Sequence, residues 1–363
     1  MIPAYFRHCV VVVAVLGQAD FVVCEGAEPI TKIEISSSNP LIRRRDYDYA
    51  ATLVESGGTV QMWWCGSVIG RAGDQILHVK FPEAEGTSPQ FAEQLGAKAQ
   101  PVFSPSLVEG KFDAAHACDP SVVIYQGKYF MYYGGLDVLR KRELKLPNPT
   151  AIGVATSEDG IHWTRARDGD PIVTAAASTA GKVNQYGAGQ PSVSFVAPYF
   201  YMLFTDTTAT GADPQNGAGQ FVIRSKSPFF DGIEELSGDG FRPYPRGAPS
   251  RDFAIVSGFT SELVYLDCCE LFAVLTNRPK ATDIRFFDRS FHRVDGLITV
   301  PGIWVEGPAV VRDALGHVPS RTPSEIAMTI VSPTGEKTKF ATWDLLSTTV
   351  TAQYGRPTSG AAK

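Results

Sequence analysis

Met131 and Met202 stand 71 residues apart, and two stretches around them align without a gap. DPSVVIYQGKYFMYYG from Asp119 lies over QPSVSFVAPYFYMLFT from Gln190, so Pro120 falls on Pro191, Ser121 on Ser192 and Tyr129 on Phe200. A third copy, SELVYLDCCELFAVLTN, begins another 71 residues on at Ser261, keeping the apolar run but losing the proline. An earlier copy, AATLVESGGTVQMWWCG from Ala50, places Met62 in the position of Met131 and Ala50 in that of Asp119. A fifth begins at WVEGPAVV from Trp304, with its second strand at IAMTIVS around Met328. Each copy alternates apolar and polar residues on either side of a turn signal, the signature of a half-buried strand pair.

A third strand follows each pair: DQILHVKF from Asp74, AIGVATSEDG from Ala151, QFVIRSKS from Gln220, DIRFFDRS from Asp283 and KFATWDLL from Lys339. After the second, SEDGIHWTR turns tightly at Asp159-Gly160 and returns a fourth strand at Trp163, a structural motif rather than a ligand site. Units of about four short strands and 70 residues are the repeat of a β-propeller, in which each unit buries its faces against its neighbours. Five units predict an all-β, five-bladed β-propeller over residues 30–350. Phe91–Ala99 could form a helical turn or two, and no long 3.6-residue periodicity is present. TKIEISS from Thr31 alternates cleanly and is expected to pair with the last blade, covering a sheet edge.

The ends of the chain read differently. Arg7 and His8 precede an apolar run from Cys9 to Leu16, and Gly17-Gln18-Ala19 is a small-residue cleavage site. Residues 1–19 therefore read as a signal peptide, with cleavage as late as 27 also compatible, and the mature chain as secreted or periplasmic. The run is too short to span a bilayer, so no integral membrane segment is expected in the mature chain. Residues 351–363 read as a flexible C-terminal tail. The formal charge of −5 and pI near 5.7 come with no basic stripe, which argues against a nucleic-acid partner. The basic clusters Arg43–Arg45 and Arg140–Lys145 are short enough to be solvated loops. Export permits disulfides, and Cys24, Cys65, Cys118, Cys268 and Cys269 are spaced like no zinc motif. They are expected to be structural or incidental.

With five units, an Asp-Pro at the start of one innermost strand and Glu-Gly-Pro at another, the chain resembles the five-bladed β-propeller glycoside hydrolases of the arabinanase/β-xylosidase and levansucrase/invertase type. In that superfamily an Asp on the first blade is the base or nucleophile. A second Asp adjusts pKa values and holds the sugar, a Glu is the general acid, and all three surround an axial cavity. The resemblance implies a glycosidic cleavage that needs one protonated and one ionised carboxyl, whose crowding pushes their pKa values apart.

Carried onto this chain, the resemblance makes Asp119 the substrate-orienting acid, Glu306 the general acid and Asp48 the base or nucleophile. Asp46 stands in reserve and belongs with the substrate-binding residues. Trp304 offers a sugar-stacking face, and Gln190, in the position aligned with Asp119, suits hydroxyl recognition. His116, three residues before Asp119, faces the rim, where it could meet sugar hydroxyls or a cation, or simply be satisfied by a carboxylate. Arg251 and Asp252, just ahead of the fourth copy, are weaker candidates. The family carries its Glu on the third blade, where this chain has YGAGQP from Tyr186; its own Glu-Gly-Pro lies on the fifth. No cofactor is expected, apart from an optional axial cation such as calcium. The reading is thus a secreted glycoside hydrolase or transglycosylase acting on a poly- or oligosaccharide. Its alternatives are a catalytically inactive glycan-binding propeller associated with polysaccharide processing or secretion, and a purely structural interaction propeller.

Overall fold

A computed structural model describes residues 30–355 other than 45, 69, 72, 84–87, 138–148, 245–248, 303–305, 321 and 335–342. The signal-peptide segment, Cys24, Trp304 and the whole basic cluster at 140–145 lie outside the described residues, as do positions 356–363.

The chain opens with β1 (Ile30–Ile35) and β2 (Asn39–Ile42). The first unit holds β3 (Asp48–Ser56), β4 (Thr59–Gly66), β5 (Gln75–Pro82) and β6 (Gln100–Phe103), with helix α1 (Pro89–Lys98) before β6. The second holds β7 (His116–Tyr125), β8 (Lys128–Leu136), β9 (Ala151–Ser157) and β10 (Thr164–Arg165). The third runs through β11 (Ala188–Val196), β12 (Tyr199–Asp206), β13 (Gln220–Ser225), β14 (Glu234–Ser237) and β15 (Gly240–Pro243). The fourth comprises β16 (Ser261–Leu266), β17 (Leu271–Arg278), β18 (Ala281–Phe287) and β19 (Arg293–Pro301). The fifth has β20 (Ala309–Arg312), the short β21 (His317–Val318), β22 (Glu325–Thr334) and β23 (Asp344–Tyr354).

The described fold is nearly all β. Its one α-helix starts at Ser88, whose hydroxyl accepts from the Phe91 amide at 3.1 Å, with Pro89 in the first turn where its missing N–H costs nothing. Ala92 and Leu95 are its buried face.

The repeat read from the sequence is a structural register. Leu53 pairs with Met62, Val122 with Met131, Val193 with Met202 and Val264 with Ala273, each on the innermost antiparallel pair of its unit. Side chains of successive units interdigitate in apolar layers. Val54, Trp63 and Ile76 meet Val122, Met131 and Tyr133 between units one and two. Equivalent layers join units two to three, three to four and four to five. A further layer returns from Ala309, Val331 and Leu345 to Leu53, Met62 and Trp64 of the first unit. Each layer removes large aliphatic and aromatic side chains from water, a stabilisation of about 1.5–3 kcal/mol per fully buried side chain.

Hydrogen bonding resolves these units into four sheets rather than five, because units one and five merge. β20 runs parallel to β3, with Val311 opposite Leu53, making one sheet of nine strands. TKIEISS pairs as expected: β1 lies antiparallel to β23, Ile30 opposite Tyr354, and so covers the outer edge of the last unit. The third strand of the fifth unit begins at Asp344, its expected start at Lys339 lying outside the described residues. That strand runs on to Tyr354, so residues 351–354 are strand rather than tail. At the Asp159-Gly160 turn, the Ser157 hydroxyl accepts from the Gly160 amide, and the indoles of Trp63 and Trp163 both donate to the Gly160 carbonyl. The motif is structural, as its residues suggested.

Candidate active site

Three of the innermost strands break register at the same place. In β3, β7 and β11 the ladder slips between Tyr49 and Thr52, Cys118 and Ser121, and Gly189 and Ser192. Each slip is a bulge whose first extra residue is left-handed: Ala50 at φ 46°, Asp119 at 51° and Gln190 at 54°. In the fifth unit the same aligned position is Gly307 at φ 58°, followed like Asp119 and Gln190 by proline. Non-glycine residues in this region are strained, and such strain gathers where a bulge re-aims a side chain toward a site.

The bulges open onto one pocket lined by Ala50, Asp119, Gln190, Glu262 and Glu306 with their neighbours, so that every unit contributes. Of the residues singled out from the sequence, the pocket brings together Asp119, Gln190 and Glu306.

Asp119 is buried, and burial pushes its carboxyl up to about 6, against the opposing influence of His116 and of the Tyr186 hydroxyl. That hydroxyl donates to Asp119 Oδ2 at 3.3 Å. Burial, with the charges of Asp119 and Glu306, drives the Tyr186 phenol well above its usual range, so it remains a donor. Glu306 is half-buried at the pocket wall. Gln190 Oε1 accepts from Thr205 Oγ1 at 3.0 Å, which orients its carboxamide.

Asp48 corrects the sequence reading. It does not line the pocket; its carboxylate is fully buried and accepts from Trp64 Nε1 at 2.7 Å, with Arg44 Nε 3.0 Å away. Burial raises it to about 7 even so. The reason is directional: Asp48 pairs with Gly66 on β4, and the missing side chain there leaves room for the carboxylate to turn toward Trp64. Asp46 also stays off the pocket lining, 3.7 Å from Arg44. Arg251 is buried against Asp206 and donates to the Thr174 carbonyl and the Tyr244 hydroxyl, while Asp252 pairs with Arg242. Both are structural. His116 is partly exposed beside the pocket, with Nδ1 3.4 Å from Asp74 Oδ2.

Two features escaped sequence reading. In the fourth unit, Glu262 occupies the position of Pro120 and Pro191, and its strand carries no bulge. Its carboxylate reaches the pocket floor, accepts from the Ser192 hydroxyl at 2.8 Å and lies 3.2 Å from Arg312. Arg312 is fully buried and donates to Val193 O, Leu263 O, Thr52 Oγ1 and Ser121 Oγ, tying the four other innermost strands to its own. An acid in a proline's place was the available signal for Glu262; Arg312 had none. The second feature is Asp74, read only as a strand start. It accepts from the Tyr47 hydroxyl and, at 2.8 Å, from that of Tyr49.

Cys65 and Cys118 form a disulfide joining β4 to β7, while Cys268 and Cys269 are free. Together with Asp74 and His116 the disulfide pair makes the one group among the described residues whose ligand atoms could gather around a metal ion.

This is the fold of the propeller glycoside hydrolases: the chain is similar to members of families 117 and 62, which are five-bladed β-propeller enzymes. The similar structures include Zg3597, a family 117 glycoside hydrolase of the marine bacterium Zobellia galactanivorans, at TM-score 0.59 and 11% identity over 90% of this chain and 92% of that one. The α-L-arabinofuranosidase PaAbf62A of Podospora anserina, in complex with cellotriose, aligns at TM-score 0.53 and 12% identity over 89% and 98%. The catalytic domain of the Coprinopsis cinerea family 62 α-L-arabinofuranosidase gives 0.50 and 11% over 89% and 98%. By sequence, no known family and no curated protein matches. Among the described residues no helix is long and apolar enough to cross a membrane.

Proposed function

We propose that this protein is an exported glycoside hydrolase or transglycosylase, a five-bladed propeller that cleaves a poly- or oligosaccharide in its axial pocket. The observation that carries the reading is that Asp119 and Glu306 line one open pocket to which every unit contributes. Glycosidic cleavage needs a carboxyl that holds its proton near neutrality and a second carboxyl to attack carbon or activate water. Burial suits Asp119, at about 6, to the first task. Glu306, less enclosed, takes the second. Asp119 thus takes the acid role that the family resemblance gave to Glu306, and Glu306 the base or nucleophile role that it gave to Asp48. Gln190, Tyr186 and Glu262 offer hydrogen bonds to sugar hydroxyls around the pair.

Product release from a broad oligosaccharide panel tests this. The wild-type chain should cleave at least one glycan, and Asp119→Asn and Glu306→Gln should each slow it by about 10²–10⁴-fold.

One observation favours the second reading, a glycan-binding propeller without catalysis. The bulge positions of the first and third units hold Ala50 and Gln190, which move no protons. Glycan binding that Asp119→Asn weakens, with no cleavage across the panel, would establish it.

A further inference from the structure

The bulge in β7 places Cys118 directly before Asp119, and β4 brings Cys65 against it from the first unit. Asp74, just ahead of β5, and His116, at the start of β7, complete the group, and one ligand atom from each of the four lies within 4.8 Å of all the others. We infer that Cys65, Asp74, His116 and Cys118 constitute a latent zinc site, closed while the disulfide is formed and opened by its reduction.

The donor set fits. Zinc takes thiolate, imidazole and carboxylate ligands in tetrahedral sites, with bonds of about 2.3 Å to sulfur and 2.0–2.2 Å to nitrogen or oxygen. The edges of such a tetrahedron run from about 3.3 to 3.8 Å. His116 Nδ1 and Asp74 Oδ2 already stand 3.4 Å apart, one such edge. Once the S–S bond is broken, the sulfurs need only separate to a van der Waals distance to supply the opposite edge.

The surroundings resemble those that steady metal ligands. The Tyr47 and Tyr49 hydroxyls both donate to Asp74, and Tyr49 also lies 3.3 Å from Cys118 Sγ. Outer hydrogen bonds of this kind fix ligand orientation. Tyr49 is buried, so the site is shielded on that side.

The chemistry balances with a dithiol as reductant. The dithiol gives two electrons and two protons to the Cys65–Cys118 bond, becomes a cyclic disulfide, and leaves two thiols. Binding of Zn²⁺ then releases those two thiol protons as the sulfurs become thiolates. The Cys268–Cys269 pair, with sulfurs 3.3 Å apart, is a competing thiol site that a test must remove.

The experiment uses the full mature chain carrying Cys268→Ser and Cys269→Ser, reduced by a dithiol, freed of reductant under anaerobic conditions and titrated with Co²⁺ as a coloured stand-in for zinc. Circular dichroism checks that the reduced chain stays folded. The expected result is one Co²⁺ per chain, with thiolate-to-cobalt charge-transfer and tetrahedral d–d bands that Zn²⁺ abolishes. The same chain left oxidised should show none. His116→Ala in that background should weaken binding at least about tenfold. A folded, reduced chain without thiolate–cobalt bands overturns the inference, and so does binding that His116→Ala leaves unchanged. Should reduction unfold the chain, Cys65→Asp with Cys118→His, which needs no reduction, must bind Co²⁺ stoichiometrically; failure there also overturns it.

Discussion

Arg312 and Glu262 pair at 3.2 Å beneath the pocket floor, their side chains only 0% and 6% exposed. The guanidinium also bonds across four neighbouring innermost strands, so the pair sits where all five units converge. Removing one partner of such a pair strands the other in a low-dielectric site. Arg312→Met should therefore lower stability by about 3–5 kcal/mol, read as a fall in the urea midpoint. Adding Glu262→Gln should restore much of that loss, since the orphaned charge is then gone. An unchanged midpoint in Arg312→Met would show that the axis does not depend on it.

The division of labour between the pocket carboxyls has its own signature. An aryl leaving group needs little protonation, so a variant lacking the proton donor should cleave aryl glycosides far better than natural glycans. Asp119→Asn should show that rescue and Glu306→Gln should not. The reverse pattern would return the acid role to Glu306.

Tyr186 tunes the same carboxyl. Its hydroxyl donates to Asp119 Oδ2 and thereby favours the ionised form. Tyr186→Phe removes that donor, so the Asp119 pKa should rise above about 6. If Asp119 donates the proton, the alkaline limb of the pH–rate profile should move to higher pH. A limb that stays in place would separate the titration from Asp119.

Asp48 predicts a pH dependence of stability rather than of rate. Its folded-state pKa of about 7 lies above the ordinary aspartate value of 3.8. Between those values the folded chain holds a proton that the unfolded chain has lost. Stability from this group is thus full at low pH and declines as pH rises toward 7, by up to about 1.4 kcal/mol per unit. Asp48→Asn should flatten that decline in urea titrations across the window. A wild-type and variant difference that does not change with pH would contradict the assignment.

Much of the architecture was legible because it is periodic. The spacing of Met62, Met131 and Met202 gave the register of the innermost strand pairs, and TKIEISS announced an edge strand. The Asp-Pro at 119 and Glu-Gly-Pro at 306 pointed to the pocket, and both acids line it. Asp48 misled because counting back from Ala50 says nothing about where a side chain turns once Gly66 leaves space opposite it. Glu262 was passed over because its copy lacks the proline that marked the others.

Alternation, turn residues and the 71-residue repeat are local signals, and by themselves they determined the strands, their pairing within each unit and the innermost position of Asp119. Only the tertiary structure decided which residues of different units meet. Arg312 reaches Thr52 across 260 positions of chain, and Cys65 reaches Cys118 across 53. The physical reason is that these contacts depend on packing between units, where side-chain direction follows from bulges, vacant glycine positions and apolar layers, and no spacing along the chain records that geometry.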